Sequence, residues 1–195
     1  MSNQPPPPAP FHAIPGNNVS ERHLRKDETL FRQGERPFAV FLVRSGVVSL
    51  IRHTEAGRKV PLFRAKPGDT LAEASIFSDA YHCDCIAERD CVLMAFDKQA
   101  ILHAMSCDPG FSVALVRRLA GQVQSYRRRL ELLAIGSAKE RVLAGLSDGW
   151  LAGSVIAFSG DLGLTHEATY RALAELVKEG RARKTGRGRY IAVPG

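Results

Sequence analysis

The hydrophobic period of this chain changes once, and that change constrains the fold more than any other feature. Between Glu28 and Phe96, short apolar runs (TLF, AVFLV, VVSLI, VPLF, CVLMAF) are cut by turns at regular spacing. This is a strand pattern. Gly34, Gly46, Gly57 and Gly68 are read as the turn glycines, since the corners of a rolled sheet need positive φ. A small antiparallel barrel or roll is predicted. Beyond Phe96 the period is helical. Asp97 is placed to N-cap a short helix, and Asp108-Pro109 is an acidic cap followed by proline at the first helical position. Val116, Leu119, Val123, Tyr126, Leu130 and Leu133 then recur at spacings of 3, 4, 3, 4 and 3. That is a heptad seam, and Arg117, Arg118, Arg127, Arg128 and Arg129 occupy the other faces. A seam this regular on so polar a helix predicts pairing with a second copy through those six residues. Packing against its own domain is the competing reading.

The long helix is expected to stop at Gly136, and Ser137-Ala-Lys-Glu140 opens the next one as a capping box. A helix over 138–149 follows, then a short strand SVIAF, a tight segment SGDLG and a second helix from His166 to Glu179. The last segment reads as two strands around a Gly-rich basic tip, Thr185 to Gly188. The fold class is therefore α+β. It comprises a Pro-rich flexible tail (1–18), a β-roll (19–107), a long helix (108–136) and a winged helix-turn-helix (137–195).

Charge separates the two halves. Residues 1–110 hold 13 Lys and Arg against 13 Asp and Glu, while residues 111–195 hold 14 against 7. The whole +7 excess is C-terminal, which makes nucleic acid a candidate partner; a solvated helical surface is the plainer alternative. No apolar run approaches the ~18 residues that cross a bilayer, and the N-terminus lacks the basic start and apolar stretch of a secretory signal. Four cysteines in 195 residues do not form a disulfide scaffold, so a cytoplasmic location is expected. Nothing in the sequence marks an enzyme or a metal site, and no cofactor is expected.

LFRQGE (30–35), FLVRSGVVSL (41–50), the turn at Gly57 and KPGDTLAEASIF (66–77) together resemble the cyclic-nucleotide-binding fold. The long helix and LGLTHEATYRALAELVKEG (162–180) are similar to the C-terminal part of Crp/Fnr-type bacterial transcription regulators. The resemblance implies a homodimer joined by the long helix, an effector pocket in the roll and a recognition helix for double-stranded DNA, with RNA polymerase as a further candidate partner. In similar regulators that bind cyclic AMP, a glycine-glutamate pair precedes an arginine and a serine that hold the cyclic phosphate. Here Glu73 keeps the glutamate's place, Ala72 replaces the glycine, Cys83 the arginine and Asp84 the serine. Cysteine cannot make the bidentate arginine–phosphate bond. Asp84 within 4 Å would add repulsion of up to ~4 kcal/mol at an effective dielectric of 20, roughly a thousandfold in affinity. Useful binding of cyclic AMP or cyclic GMP is therefore not expected. Cys83 and Cys85 read as small buried hydrophobes, with redox or metal sensing as the minor alternative.

Thr165 is the expected N-cap of the recognition helix, and the resemblance places His166, Glu167 and Arg171 in the major groove. Arginine can bond guanine O6 and N7 together, and Glu accepts from cytosine N4. Thr165, Thr169, Tyr170, Lys184, Arg187 and Arg189 are candidates for backbone phosphates, which position without reading sequence. Leu164, Leu173 and Leu176 are expected to pack in the core. The first helix of such a motif spans about two turns and braces the second. With SVIAF read as a strand, only Ser159 to Leu162 separate it from Gly163, and a turn or more is missing. The leading reading is a dimeric Crp/Fnr-type regulator whose effector pocket has lost cyclic nucleotides. The alternative is a ligand- or redox-sensing module with a degenerate DNA-binding domain.

Overall fold

A computed structural model of the chain describes residues 6–54, 57, 59–151 and 153–193. The first five residues of the expected tail lie outside the described residues. The chain divides into two compact units, 1–119 and 120–195. That division falls inside the long helix rather than at the expected Gly136/Ser137 boundary.

The first unit is built on one antiparallel sheet. Its strands are β1 (Val19–Leu24), β2 (Thr29–Phe31), β3 (Ala39–His53), β4 (Lys59–Ala65), β5 (Thr70–Leu71) and β6 (Asp84–Asp97). The main order is β1-β6-β3-β4, with β2 on β6 and β5 on β3. AVFLV and VVSLI were expected as separate strands around a turn at Gly46, but they form the single strand β3. Gly46 sits at an irregularity inside it, where the register with β6 shifts. It has φ +84°, and a Cβ there would lie 2.3 Å from the Asp90 carbonyl oxygen and 2.5 Å from Cys91 Sγ. The glycine permits close backbone approach, which sequence spacing cannot distinguish from a turn. Alternate side chains of the strands fill the roll: Phe31, Phe41, Val43, Val48, Ala65, Leu71, Cys85, Ala87 and Leu93 are buried together, with Tyr81 from the segment before β6.

A second cluster forms on the other side of the sheet, from Val40, Leu42 and Phe96 with Ile101, Phe111 and Leu115. Ile101 lies on α1 (Lys98–Cys107), Phe111 and Leu115 on α2 (Pro109–Ala134). Asp97 caps α1 by accepting from Ala100 N–H at 2.8 Å, and Asp108 accepts from Gly110 N–H at 2.8 Å at the start of α2. Phe11 and Ile14 belong to this cluster too, and this corrects the expectation of a flexible tail over residues 1–18. Phe11 is fully buried and stacks on Phe96 with ring centroids 5.0 Å apart. Burying one phenyl ring contributes about 1.5–3 kcal/mol, enough to hold a proline-rich segment that has no period of its own.

The second unit contains the remainder of α2, α3 (Ala138–Ser147), α4 (Val155–Asp161), α5 (His166–Lys178) and the hairpin β7–β8 (Ala182–Gly186, Arg189–Ala192). Leu132, Val142, Leu146, Val155, Phe158, Leu162, Leu173 and Leu176 are its buried core. SVIAF is therefore not a strand. Its β-branched residues mark the start of α4, capped by Ser154, whose hydroxyl accepts from Ala157 N–H at 3.2 Å. Helical spacing puts Val155, Phe158 and Leu162 on one buried face. Tertiary burial outweighs the strand propensity of a five-residue window. Among the described residues, no helix is long and apolar enough to cross a membrane.

Candidate nucleic-acid interface and effector pocket

The second unit carries a complete helix-turn-helix. Residues α4 and α5 meet through Leu162-Gly-Leu-Thr165, with Gly163 at φ +63° and Leu164 N–H bonded to the Ser159 carbonyl at 2.9 Å. The missing turn expected from the sequence is thus supplied by α4 itself, and that expectation is corrected. Thr165 caps α5, accepting from Ala168 N–H at 3.1 Å. Arg141 of α3 ties the assembly: its guanidinium donates to the Ile135 carbonyl at 3.0 and 2.6 Å and to the Leu162 carbonyl at 3.0 Å. Arg141 had no sequence signal, because its acceptors are backbone oxygens on two other segments.

In the first half of α5 (His166–Lys178) His166, Glu167, Tyr170 and Arg171 are exposed, and Ala174, Glu175, Val177 and Lys178 are exposed further on, while Ala172, Leu173 and Leu176 face inward. Leu164 is half-buried and packs on the same core. Thr169 is a correction. It is fully buried and its hydroxyl donates to the Thr165 carbonyl at 3.0 Å, so it cannot reach a phosphate. Its position follows from the helical period, which places it on the face of Ala172 and Leu173. On the hairpin, Lys184, Arg187 and Arg189 are exposed, and Lys184 Nζ lies 6.0 Å over the Tyr190 ring. Arg171, Arg187 and Arg189 make no ion pair among the described residues, whereas Arg128 and Arg181 are paired with Asp148 and Glu140.

The expected dimer seam is mostly uncovered. Val116, Val123, Tyr126, Leu130 and Leu133 are exposed, Leu130 by 67%. Leu119 departs from it, being half-buried against the cluster of Phe96 and Phe111. Val113 extends the exposed stripe by one turn.

In the roll, Glu73 begins a short 3-10 turn (Glu73–Ser75) and is 95% buried, with Ala72 before it at φ +70°. An alanine in the left-handed region costs roughly 1–2 kcal/mol, so the backbone keeps the conformation that glycine would adopt without strain. The Glu73 carboxylate accepts from the Thr70 hydroxyl. Arg118 of α2 donates to that same hydroxyl oxygen, from Nε at 3.0 Å and Nη2 at 2.7 Å, and its Nε is 3.8 Å from Glu73 Oε1. Cys83 is half-buried; burial pushes its thiol up, and the neighbouring Asp84 adds to the shift. Burial also pushes Cys85 far above the ordinary thiol range, the behaviour of a core hydrophobe. Asp84 is half-buried. Its carboxylate accepts from Gln33 N–H at 2.8 Å and lies 3.4 Å from His53 Nδ1. It stands on the strand face opposite the buried Cys85, turned toward Gln33 and His53. Of the surface cavities among the described residues, four of about 250–520 Å³ are lined by none of Ala72, Glu73, Cys83 and Asp84. Among the described residues no group of three or more His, Cys, Asp or Glu side chains could hold a metal ion.

Comparison with known proteins agrees with this architecture. Residues 21–108 match the cyclic nucleotide-binding domain family. The chain is similar to FixK2 from Bradyrhizobium japonicum, with 24% identity over 90% of this chain and 93% of that one and a TM-score of 0.70. It is similar to CLP of Xanthomonas campestris, a c-di-GMP-responsive global regulator, with 20% identity over 92% and 95% of the two chains and a TM-score of 0.61. The catabolite activator protein of Thermus thermophilus gives 24% identity, 91% and 86% coverage and a TM-score of 0.52. No curated protein is matched by the sequence. Residues 21–108 thus match the cyclic nucleotide-binding domain family, and the chain as a whole shares the fold of these regulators.

Proposed function

We propose that the protein is a cytoplasmic, homodimeric, sequence-specific DNA-binding transcription regulator that does not use cyclic AMP or cyclic GMP as its effector. The observation that carries this reading is the capped helix α5. It has a buried apolar face and an exposed face of His166, Glu167, Tyr170 and Arg171, beside a hairpin bearing Lys184, Arg187 and Arg189. Such a helix suits the major groove, where Arg171 would read guanine and Glu167 cytosine. Thr165, Tyr170 and the hairpin cations would take backbone phosphates. Val116, Val123, Tyr126, Leu130 and Leu133 form an apolar stripe that a second copy of α2 would cover. RNA polymerase is a further candidate partner by resemblance alone. At the pocket, Cys83 offers no guanidinium to a cyclic phosphate, and Glu73 is already held by Thr70 and Arg118. The alternative of a degenerate DNA-binding domain rested on the missing first helix, and α4 removes that support.

A mobility-shift series on genomic fragments tests the reading. Six hairpin cations in a dimer, each neutralising one phosphate, give a log–log salt slope near −5, or about a thousandfold loss of affinity between 50 and 200 mM salt. Sedimentation at the same concentrations should show a dimer. A monomer, or a chain indifferent to duplex DNA at low salt, overturns the proposal.

A further inference from the structure

We infer that the first unit carries a ligand site outside the roll, under the N-terminal segment, for a small apolar monocarboxylate, with Arg44 as its anion-binding group. The inference goes beyond the reading of the chain as a regulator and stands whether or not the chain binds DNA.

Strand register fixes which side chains share the face of the sheet turned away from the roll's interior. Val19 and Glu21 of β1 stand opposite Phe96 and Met94, and Val40 and Leu42 of β3 stand opposite the same two residues on the other side. Alternation along β3 carries that face from Val40 and Leu42 to Arg44. The register with β6 shifts between Val43 and Ser45, so Arg44 is the extra residue of a bulge, a device that re-aims a side chain. Its guanidinium is half-buried, and Nε donates to Met94 Sδ at 2.8 Å. A thioether is a weak acceptor, whereas the guanidinium fork is matched to a carboxylate.

The N-terminal segment roofs this face, with Phe11 and Ile14 packed on Val40, Leu42 and Phe96. Between segment and sheet lies a cavity of about 520 Å³. Phe11, Ile14, Met94 and Phe96 give it apolar walls, and Arg44 and Glu21 line it as well. A second cavity, of about 450 Å³, shares Pro6 and Arg44 with the first. Both volumes fall within the roughly 300–1,000 Å³ of small-molecule sites, whose usual make-up is apolar walls with a few convergent polar groups. A cation set among apolar walls selects an anion with an apolar body. The charge of that anion is limited to one. Glu21 is exposed beside the same cavity, its carboxylate 2.6 Å from His23 Nε2, and it repels a second negative charge on the ligand. A phosphoryl dianion is therefore disfavoured, and a monocarboxylate fits.

Titration calorimetry of the full chain with 4-phenylbutyrate, and with 4-phenylbutanol as its uncharged match, tests this. Wild type should bind the acid about tenfold or more tighter than the alcohol, because a charge-assisted bond is at stake. R44M keeps the apolar stem and loses the fork, and it should bind the two alike. E21Q should tighten the acid about two- to threefold and leave the alcohol unchanged. Glu21 is exposed, so E21Q carries the charge test if R44M does not fold. Hydrogen–deuterium exchange places the site: the acid should slow exchange in a peptide spanning residues 11–19 and leave one spanning 70–76 unchanged. No binding of the acid at millimolar concentration, equal wild-type affinity for acid and alcohol, or an R44M chain that keeps the preference for the acid would overturn the inference. So would an E21Q chain no tighter for the acid, or protection at 70–76 in place of 11–19.

Discussion

Replacing Arg141 by methionine isolates the bolt of the helix-turn-helix. The guanidinium makes three hydrogen bonds to two carbonyl oxygens, those of Ile135 and Leu162. One follows the end of α2, and the other caps α4 immediately before the turn into α5. A hydrogen bond to a charged group is worth about 1.5–3 kcal/mol net, and the three share one donor group and cannot be summed freely. Methionine keeps most of the apolar stem, so the packing loss is small. A working figure is a loss of about 3 kcal/mol, which leaves two partly buried carbonyls without their donor. The C-terminal unit spans residues 120–195. For a unit of that size 1 kcal/mol moves the midpoint by about 4–8 °C, so R141M should lower its transition by about 12–24 °C. R141K retains a charge that can serve one carbonyl, and it should lose about half as much. Calorimetry of the full chain, with urea unfolding at 25 °C as a check, gives both numbers. An R141M transition within about 0.5 kcal/mol of wild type would refute the reasoning, since a surface substitution does no more than that. So would R141K losing as much as R141M, because the fork would then be irrelevant.

Three further outcomes follow from the geometry. Gly46→Ala should prevent the roll from folding or cost more than about 3 kcal/mol by urea titration, because its Cβ would sit 2.3 Å from a backbone oxygen at φ +84°. With a thiol reagent at mildly alkaline pH, Cys107 should react fast and Cys83 slowly. Cys85 and Cys91, whose thiols burial pushes up, should react only on unfolding, and C107S should abolish the fast phase. Burial pushes the Glu88 carboxyl up, but hydrogen bonds from Arg64 and Ser49 outweigh it and hold it below its ordinary 4.5. A lowered folded value means that this contribution is fully present above pH 4.5 and is lost as pH falls through the folded value. Thermal midpoints measured down the acid limb should therefore fall less steeply in E88Q than in wild type, and equal slopes would exclude Glu88 as a source.

Much of the fold was legible because local chemistry repeats. The caps at Asp97, Asp108, Ser137 and Thr165 each rest on one oxygen and one amide a few residues away, so the sequence displays both partners. The hairpin tip was legible because its glycines and cations are contiguous. SVIAF was misread for the opposite reason. In five residues a β-branched run looks the same whether it alternates or winds, and only the core of Leu132, Val142 and Leu173 decides that Val155, Phe158 and Leu162 share a helical face. Gly46 was misread likewise, since a close approach to Asp90 and Cys91 lies on another strand.

The pocket shows the same limit at the level of function. The sequence by itself determined that no arginine stands at position 83, that Glu73 is retained, and that the positive charge lies in the C-terminal half. These are properties of composition and order, and folding does not alter them. Tertiary structure alone decided that Asp84 turns to Gln33 and His53, that Thr169 faces inward, and that Phe11, from a stretch with no period, covers Arg118 beside Glu73. Arg118 and Thr70 are 48 residues apart. A hydrogen bond between such distant residues depends on where two packed elements meet, and no local pattern in the chain encodes that meeting.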